Sequence, residues 1–477
     1  MALPAFLTRK STAIDLTVGH PLKKALIFMI PLLIGNVFQQ LYSMVDTIIV
    51  GHTLGSAALA GVGSTGAISF LIMGFVSGLC QGFSIMTSQR RGAHDEEGMR
   101  TSFATGIVLT VAIISVLTVV AVFVARPLLV AMHTLDELMP YAEAYITTIF
   151  SGMLLSAFYN EFASTLRAIG DSVVPLGFLI FSSFLNAALD CLFILVFGMG
   201  VRGAAAATLL SQGVSAVLTF VYMWVRYPVL RFKPRHFKPS LKRYALHLRL
   251  GLPMALQMSI ISIGMIFGQT ALNSMDNAEM NAGYVAATKI DSIACSLLNS
   301  IGAATATFVG QNYGARRFDR IKLGMKQIML FALALAVALG VLVVGLHRPL
   351  IRLFISDEDF NDNLATYALT YLVLNGGFYM FLGSLCSCRS ALQGMGRGTI
   401  TLLSAAAEVV MRVAVSLIAM RFHEFNWVCA CNCASWIGAN LILVPIFLVT
   451  LNKYIPLVTR SMKSIRLPNP SAIPFSK

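Results

Sequence analysis

The sequence predicts an all-α integral membrane protein, with twelve transmembrane helices in two pseudo-symmetric six-helix bundles around a central cleft. Two observations carry that prediction. The first is composition: 57% of the residues are hydrophobic and 12% charged, with a mean hydropathy of +0.77, which excludes an ordinary soluble domain and a disordered chain. The second is self-similarity. At a constant shift of 222, Pro31 falls on Pro253, Ala60-Gly61 on Ala282-Gly283, Gln89 on Gln311, Gly92-Ala93 on Gly314-Ala315 and Arg126-Pro127-Leu128 on Arg348-Pro349-Leu350. After a short insertion the shift becomes 226, pairing Tyr145 with Tyr371, Leu166 with Leu392 and Gly170 with Gly396. A duplicated membrane unit implies two lobes that rock about a site near the midplane.

The elements follow in order. Apolar runs of at least roughly 20 residues, enough to cross the hydrocarbon, occur near 26–50, 57–85, 101–125, 141–164, 174–197 and 203–225. A second six lie near 252–275, 284–309, 325–346, 367–388, 399–420 and 427–450. Lipid offers the backbone no hydrogen-bond partners, so spans this long are helices, and the alternating pattern of a barrel is absent.

The net charge of +14 follows the spans and gives no sign of nucleic-acid binding. Arg9, Lys10, Lys23 and Lys24 precede span one, Arg90, Arg91 and Arg100 lie between two and three, and Arg167 follows four. The central linker, the segment after span eight, Arg389 and Arg397 after span ten, and the tail carry most of the rest. By the positive-inside rule both termini are cytoplasmic. The chain then divides into a cytoplasmic leader (1–22), a first bundle (23–226), a basic cytoplasmic linker (227–249), a second bundle (250–451) and a cytoplasmic tail (452–477). No cleavable signal peptide is visible, and the Pro- and Ser-rich residues 467–477 read as disordered. The expected location is the plasma or inner membrane, multi-pass, with the protein acting as a monomer.

Some motifs carry no chemistry. Gly61-Val62-Gly63-Ser64-Thr65-Gly66 fits a dinucleotide fingerprint literally, but it lies in an apolar helix with no preceding strand. Gly74, Gly78 and Gly82 recur every fourth residue, which suits close helix packing. No phosphate-binding loop is present, so an ion gradient or a partner chain must supply the energy. Cys429, Cys431 and Cys433 cluster near His423, but a spacing of two spreads them around a helix, so they read as core residues and no metal site is expected.

Acids that hydropathy places within the spans, away from their ends, are few: Asp46, Asp190, Asp291 and Glu408. A charge at midbilayer costs roughly 2.5–3.5 kcal/mol on insertion scales, so each needs a reason. On span one Gln39, Tyr42, Ser43 and Asp46 share a face by their three- and four-residue spacings. Span five repeats the device with Ser183, Asn186 and Asp190, and span six adds Thr208, Ser211 and Gln212. Such oxygens converging in a poorly hydrated cavity would hold a proton or a small hard cation. Gln39, Tyr42, Ser43, Ser183 and Gln212 would line the substrate cleft. Glu408 and Arg412, four apart on span eleven, read as a structural ion pair. Lys289 and Asp291 point to different faces of span eight and read as snorkelling and helix contact.

The chain resembles the multidrug and toxin extrusion (MATE) family of antiporters over nearly its whole length. The marks are Gln39-Gln40-Leu41-Tyr42-Ser43-Met44-Val45-Asp46-Thr47, Leu166-Arg167-Ala168-Ile169-Gly170-Asp171, Asn186-x-x-x-Asp190, residues 203–208 and Gly310-Gln311-Asn312-x-Gly314-Ala315. The resemblance implies export of cationic, amphipathic small molecules against H⁺ or Na⁺, with no cofactor. It places the cation site on Asp46, Asn186, Asp190 and Thr208. One branch of the family carries an acid on span seven, and residues 253–275 contain none.

The rivals are a lipid-linked oligosaccharide flippase of the same wider superfamily, a polytopic membrane enzyme, and a receptor or scaffold. A flippase would need basic groups in the cleft for a pyrophosphate, and within the predicted spans, away from their ends, only Lys289 and Arg412 are basic. An enzyme would display catalytic carboxylate or histidine pairs, whereas the histidines here, such as His94, His133 and His347, are scattered. A scaffold has no need of buried acids.

Overall fold

The computed structural model describes residues 12–132, 134–275, 277–353 and 360–464. The tail expected to be disordered, part of the leader (1–11) and His133 lie outside them. The described residues form helices α1 (Pro21–Ser64), α2 (Gly66–Gly92), α3 (Glu96–Ala131), α4 (Met139–Ser151), α5 (Met153–Ile169), α6 (Val173–Asp190) and α7 (Gly200–Arg226) in the first half. The second half holds α8 (Leu241–Asn273), α9 (Ala278–Gly314), α10 (Phe318–Gly345), the short α11 (His347–Ile351), α12 (Asp362–Gly394), α13 (Gly398–Phe422) and α14 (Phe425–Ser464).

Among the described residues, eleven helices are long and apolar enough to cross a membrane. The remaining predicted span, the fourth (141–164), is divided at Gly152 into α4 and α5, of 13 and 17 residues. Leu209 of α7 sits where a Cβ at Gly152 would go, so close packing of α7 fixes the break. The boundary between spans one and two also differs from expectation. The range of α1 reaches Ser64 but is kinked at Gly55, whose φ of 86° belongs to the left-handed region open to glycine and is not helical. The helix is therefore broken at Gly55, and residues 56–64 form a separate helical segment that Thr65 divides from α2.

Each half holds an apolar core, and that of the second half also takes in Phe28 and Met29 of α1. In the first, Val76, Phe83, Ile114, Ile146 and Phe150 pack together, while Phe103, Phe162 and Tyr222 form a second layer. In the second half Leu298, Phe308, Tyr371, Tyr379 and Leu443 lie in one continuous core. The halves meet along α2 and α8, where the stripe Gly74, Gly78 and Gly82 lets the backbones approach. A Cβ on Gly78 would lie 2.6 Å from the Met254 carbonyl oxygen, and one on Gly74 3.5 Å from the Met258 Cβ.

The duplication is visible in hydrogen bonds on the face where the leader and the central linker lie. Gln89 donates Nε2–H to the Gly394 carbonyl at 2.8 Å, and Gln311 donates to the Ala168 carbonyl at 3.0 Å. Donors and acceptors in these two latches are repeat mates. Gly92 abuts the Gln311 backbone and Gly314 abuts that of Gln89, so both glycines are required by close approach. The leader joins the same layer as a strap. Ile14 N–H donates to the Gly170 carbonyl at 2.8 Å, Leu16 N–H donates to Gln311 Oε1 at 3.1 Å, and the Leu16 carbonyl accepts from Asn312 and Arg320.

The ion pair expected between Glu408 and Arg412 is corrected. Glu408 pairs with Arg389 of α12, and Arg412 donates to Ser435 Oγ on α14 at 3.1 Å. Arg389, read from the sequence as following span ten, lies inside α12, which runs to Gly394. The side chains of the pair are 11% and 6% exposed, so removing one partner strands a buried charge. Arg389→Ala is expected to destabilise the protein by about 3–5 kcal/mol, read as a lowered thermal unfolding midpoint in detergent. The double change Arg389→Met with Glu408→Leu should restore most of the loss.

Candidate functional site

The predicted cation residues come together in the first bundle. α1 supplies Tyr42 and Asp46, α6 supplies Asn186 and Asp190, and α7 supplies Thr208 and Gln212. Asp190 is the last residue of α6, directly before a π-helical turn over Cys191–Val196. Such a turn re-aims the side chains beside it and is common at functional positions. Asn186 and Asp190 are 1% and 0% exposed. The Thr208 hydroxyl oxygen accepts from the Tyr42 hydroxyl and from Asn186 Nδ2, each at 3.3 Å, which ties the three helices together.

Beyond this knot the Asp46 and Asp190 carboxyls face each other within hydrogen-bonding reach. Asp46 Oδ1, both Asp190 oxygens and Gln212 Oε1 are buried with no hydrogen-bond donor among the described residues. An unsatisfied buried acceptor costs about 1–3 kcal/mol, more when it is charged. The three carboxyl oxygens among them belong to the two facing acids and form a cage that a positive charge stabilises. A proton held between the carboxyls, or a small cation coordinated by the oxygens, meets that need.

The substrate-cleft residues separate. Gln39, Tyr42, Ser183 and Gln212 line a cavity of about 130 Å³ between α1, α5, α6 and α7. Ser43 is exposed on α1, outside that lining. Lys289 is exposed, whereas Asp291 is buried in the second bundle and accepts from the Tyr371 and Tyr379 hydroxyls at 3.1 and 2.7 Å, a contact to α12.

Three groups escape the sequence reading. The Tyr145 phenol lies within electrostatic reach of Tyr42, Asp46 and Asp190. Its repeat mate Tyr371 lies against Asp291, so the duplication is the signal that could have found it. Glu161, 1% exposed, is a further buried acid inside a predicted span, beside Cys80 and Thr110. Arg167 belongs to α5 and lines the cavity, where the sequence places it after span four.

The MatE family model matches the chain twice, over residues 31–192 and 253–418. The matched stretches begin at Pro31 and Pro253, the first repeat mates. The chain belongs to the MATE family of multidrug efflux transporters. A relative, "Probable multidrug resistance protein YpnP" of Bacillus subtilis, is 32% identical over 78% of this chain and 82% of its own. "Probable multidrug resistance protein NorM" of Thermotoga maritima is 25% identical over 87% and 88%. A solved structure described as "Crystal structure of MATE in complex with MaL6" is similar with a TM-score of 0.85 at 24% identity, covering 93% of this chain and 99% of that one. This is therefore a multi-pass membrane transporter of small molecules and not an enzyme.

Proposed function

We propose that this MATE protein is a secondary antiporter that exports amphipathic organic cations in exchange for H⁺ or Na⁺, acting as a monomer in the cell membrane with both termini cytoplasmic. The orphaned oxygens of Asp46, Asp190 and Gln212 support this reading above all. The coupling ion enters from outside and occupies the carboxyl pair. It cancels the negative charge that attracts a cationic substrate, and the two compete. Alternating access follows when the bundles, residues 23–226 and 250–451, tilt between two states that differ in their affinity for the ion. The latches at Gln89 and Gln311 close the proposed cytoplasmic face, so the conformation described corresponds to the outward side of the cycle. Asn186 and Thr208 orient the α1, α6 and α7 walls of the ion site.

The test is uptake of a fluorescent cation into inverted vesicles with a pH gradient and a Na⁺ gradient imposed separately. One gradient is expected to drive accumulation, and collapsing it should release the dye. Accumulation indifferent to both gradients would rule out the exchange.

A further inference from the structure

We propose that the cavity between α1, α5, α6 and α7 is a subsite for the carboxylate of an amphiphilic small-molecule substrate, with Arg167 as its anion-binding residue. The inference deepens the antiport reading and rests on it: a substrate bearing both a carboxylate and an amine would span Arg167 and the acidic pair.

The lining decides the charge. Arg167 is the charged side chain of the cavity, and no carboxylate is found among the described residues that line it. Around it the wall presents the amides of Gln39, Asn160 and Gln212 and the hydroxyls of Ser172 and Ser183. Arg167 makes no ion pair among the described residues; its Nη2 donates to Ser164 Oγ at 2.9 Å. Of the nearby acids, Asp171 is engaged elsewhere and Glu161 does not line the cavity. Asp171 accepts from Thr12 and Tyr227, both at 2.6 Å. One Glu161 carboxyl oxygen abuts Gly106 on α3, and the other is buried with no hydrogen-bond donor among the described residues.

A guanidinium taken out of water without an anion is costly, and its planar fork matches a carboxylate. The cavity supplies that position. Its volume of about 130 Å³ falls below the roughly 300–1,000 Å³ of a site that engulfs a whole drug-sized ligand. It therefore suits one substituent, with the apolar body resting on Pro31, Leu32 and Leu176. Tyr42 connects the two charges. It lines the cavity, and its hydroxyl donates to Thr208, which also accepts from Asn186.

The experiment is equilibrium binding to the purified full chain, without any gradient, of two matched xanthene dyes. One is the ethyl ester, a cation; the other is the free carboxylate, a zwitterion. The unaltered protein is expected to bind the zwitterion more tightly. Arg167→Gln should weaken zwitterion binding roughly tenfold or more while leaving the ester within about twofold, as loss of a charge-assisted hydrogen bond predicts. Asn160→Asp keeps the arginine but places a competing carboxylate in the cavity, and should give the same selective loss. The proposal is overturned if the unaltered protein does not prefer the zwitterion, if Asn160→Asp leaves its affinity unchanged, or if both variants lose both dyes in parallel. Because no ion gradient enters the measurement, these outcomes leave the exchange reading to its own vesicle test.

Discussion

Asp190→Asn is expected to abolish gradient-driven efflux while leaving the protein folded and in the membrane. Asparagine preserves volume and removes the charge, so the site, left with the Asp46 carboxylate alone, no longer changes occupancy with the ion gradient. Coupling free energies of about 1–3 kcal/mol correspond to roughly 5–150-fold. Loss of the cage's central charge should fall at the upper end, on the order of a hundredfold in gradient-driven rate. Substrate exchange at equal ion concentrations should persist, since that step needs no net ion movement. Asp46→Asn should weaken coupling less, because Asp46 is half-buried at the cage while Asp190 is 0% exposed with both oxygens orphaned. Retention of full coupling in Asp190→Asn would remove the carboxyl pair from the mechanism. The paired measurement also separates a transporter that has lost coupling from one that has merely lost abundance.

The features legible in the sequence depend on periodicity. Span length, charge bias and the 222 shift report on one helix or one repeat at a time, and they lead to the all-helical, duplicated fold. Spacing likewise assembles the face of Tyr42 and Asp46 and the stripe of Asn186 and Asp190, because residues three and four apart share a helix side. Contacts between helices are less legible. Glu408 and Arg412 satisfy the helical spacing for a pair, yet Arg389 on a neighbouring helix takes the carboxylate, and nothing local to α13 signals this. Arg167 reads as the start of a loop because it follows the most apolar part of its span. The Schellman-like end at Gly170, with φ of 101°, carries α5 as far as Ile169 and keeps the guanidinium inside the bundle. Gly152 is invisible as a break because the flanking residues stay apolar on both sides of it.

Removing the Gln311 latch is expected to open the proposed cytoplasmic face more than removing the Gln89 latch, although the two are repeat mates. Each glutamine satisfies a carbonyl at the end of a helix in the opposite half, and a lost buried hydrogen bond costs about 1–3 kcal/mol. Gln311 does more than its mate. Its Oε1 also accepts from Leu16 N–H, and Leu16 is fully buried, with its carbonyl held by Asn312 and Arg320. The strap therefore reinforces one latch and couples the leader to closure. Ser88, 1% exposed and donating to the Thr307 carbonyl at 3.2 Å, is a reporter buried in this contact. A Ser88→Cys protein should react slowly with a membrane-impermeant thiol reagent applied to that face. Adding Gln311→Ala should raise the rate on the order of tenfold or more, and Gln89→Ala by less, because each 1.4 kcal/mol moved between two states is about a factor of ten in their ratio. Equal rates in the two variants would show that the strap carries no part of the closure, and a rate unchanged by either would mean that the glutamines do not hold the face shut.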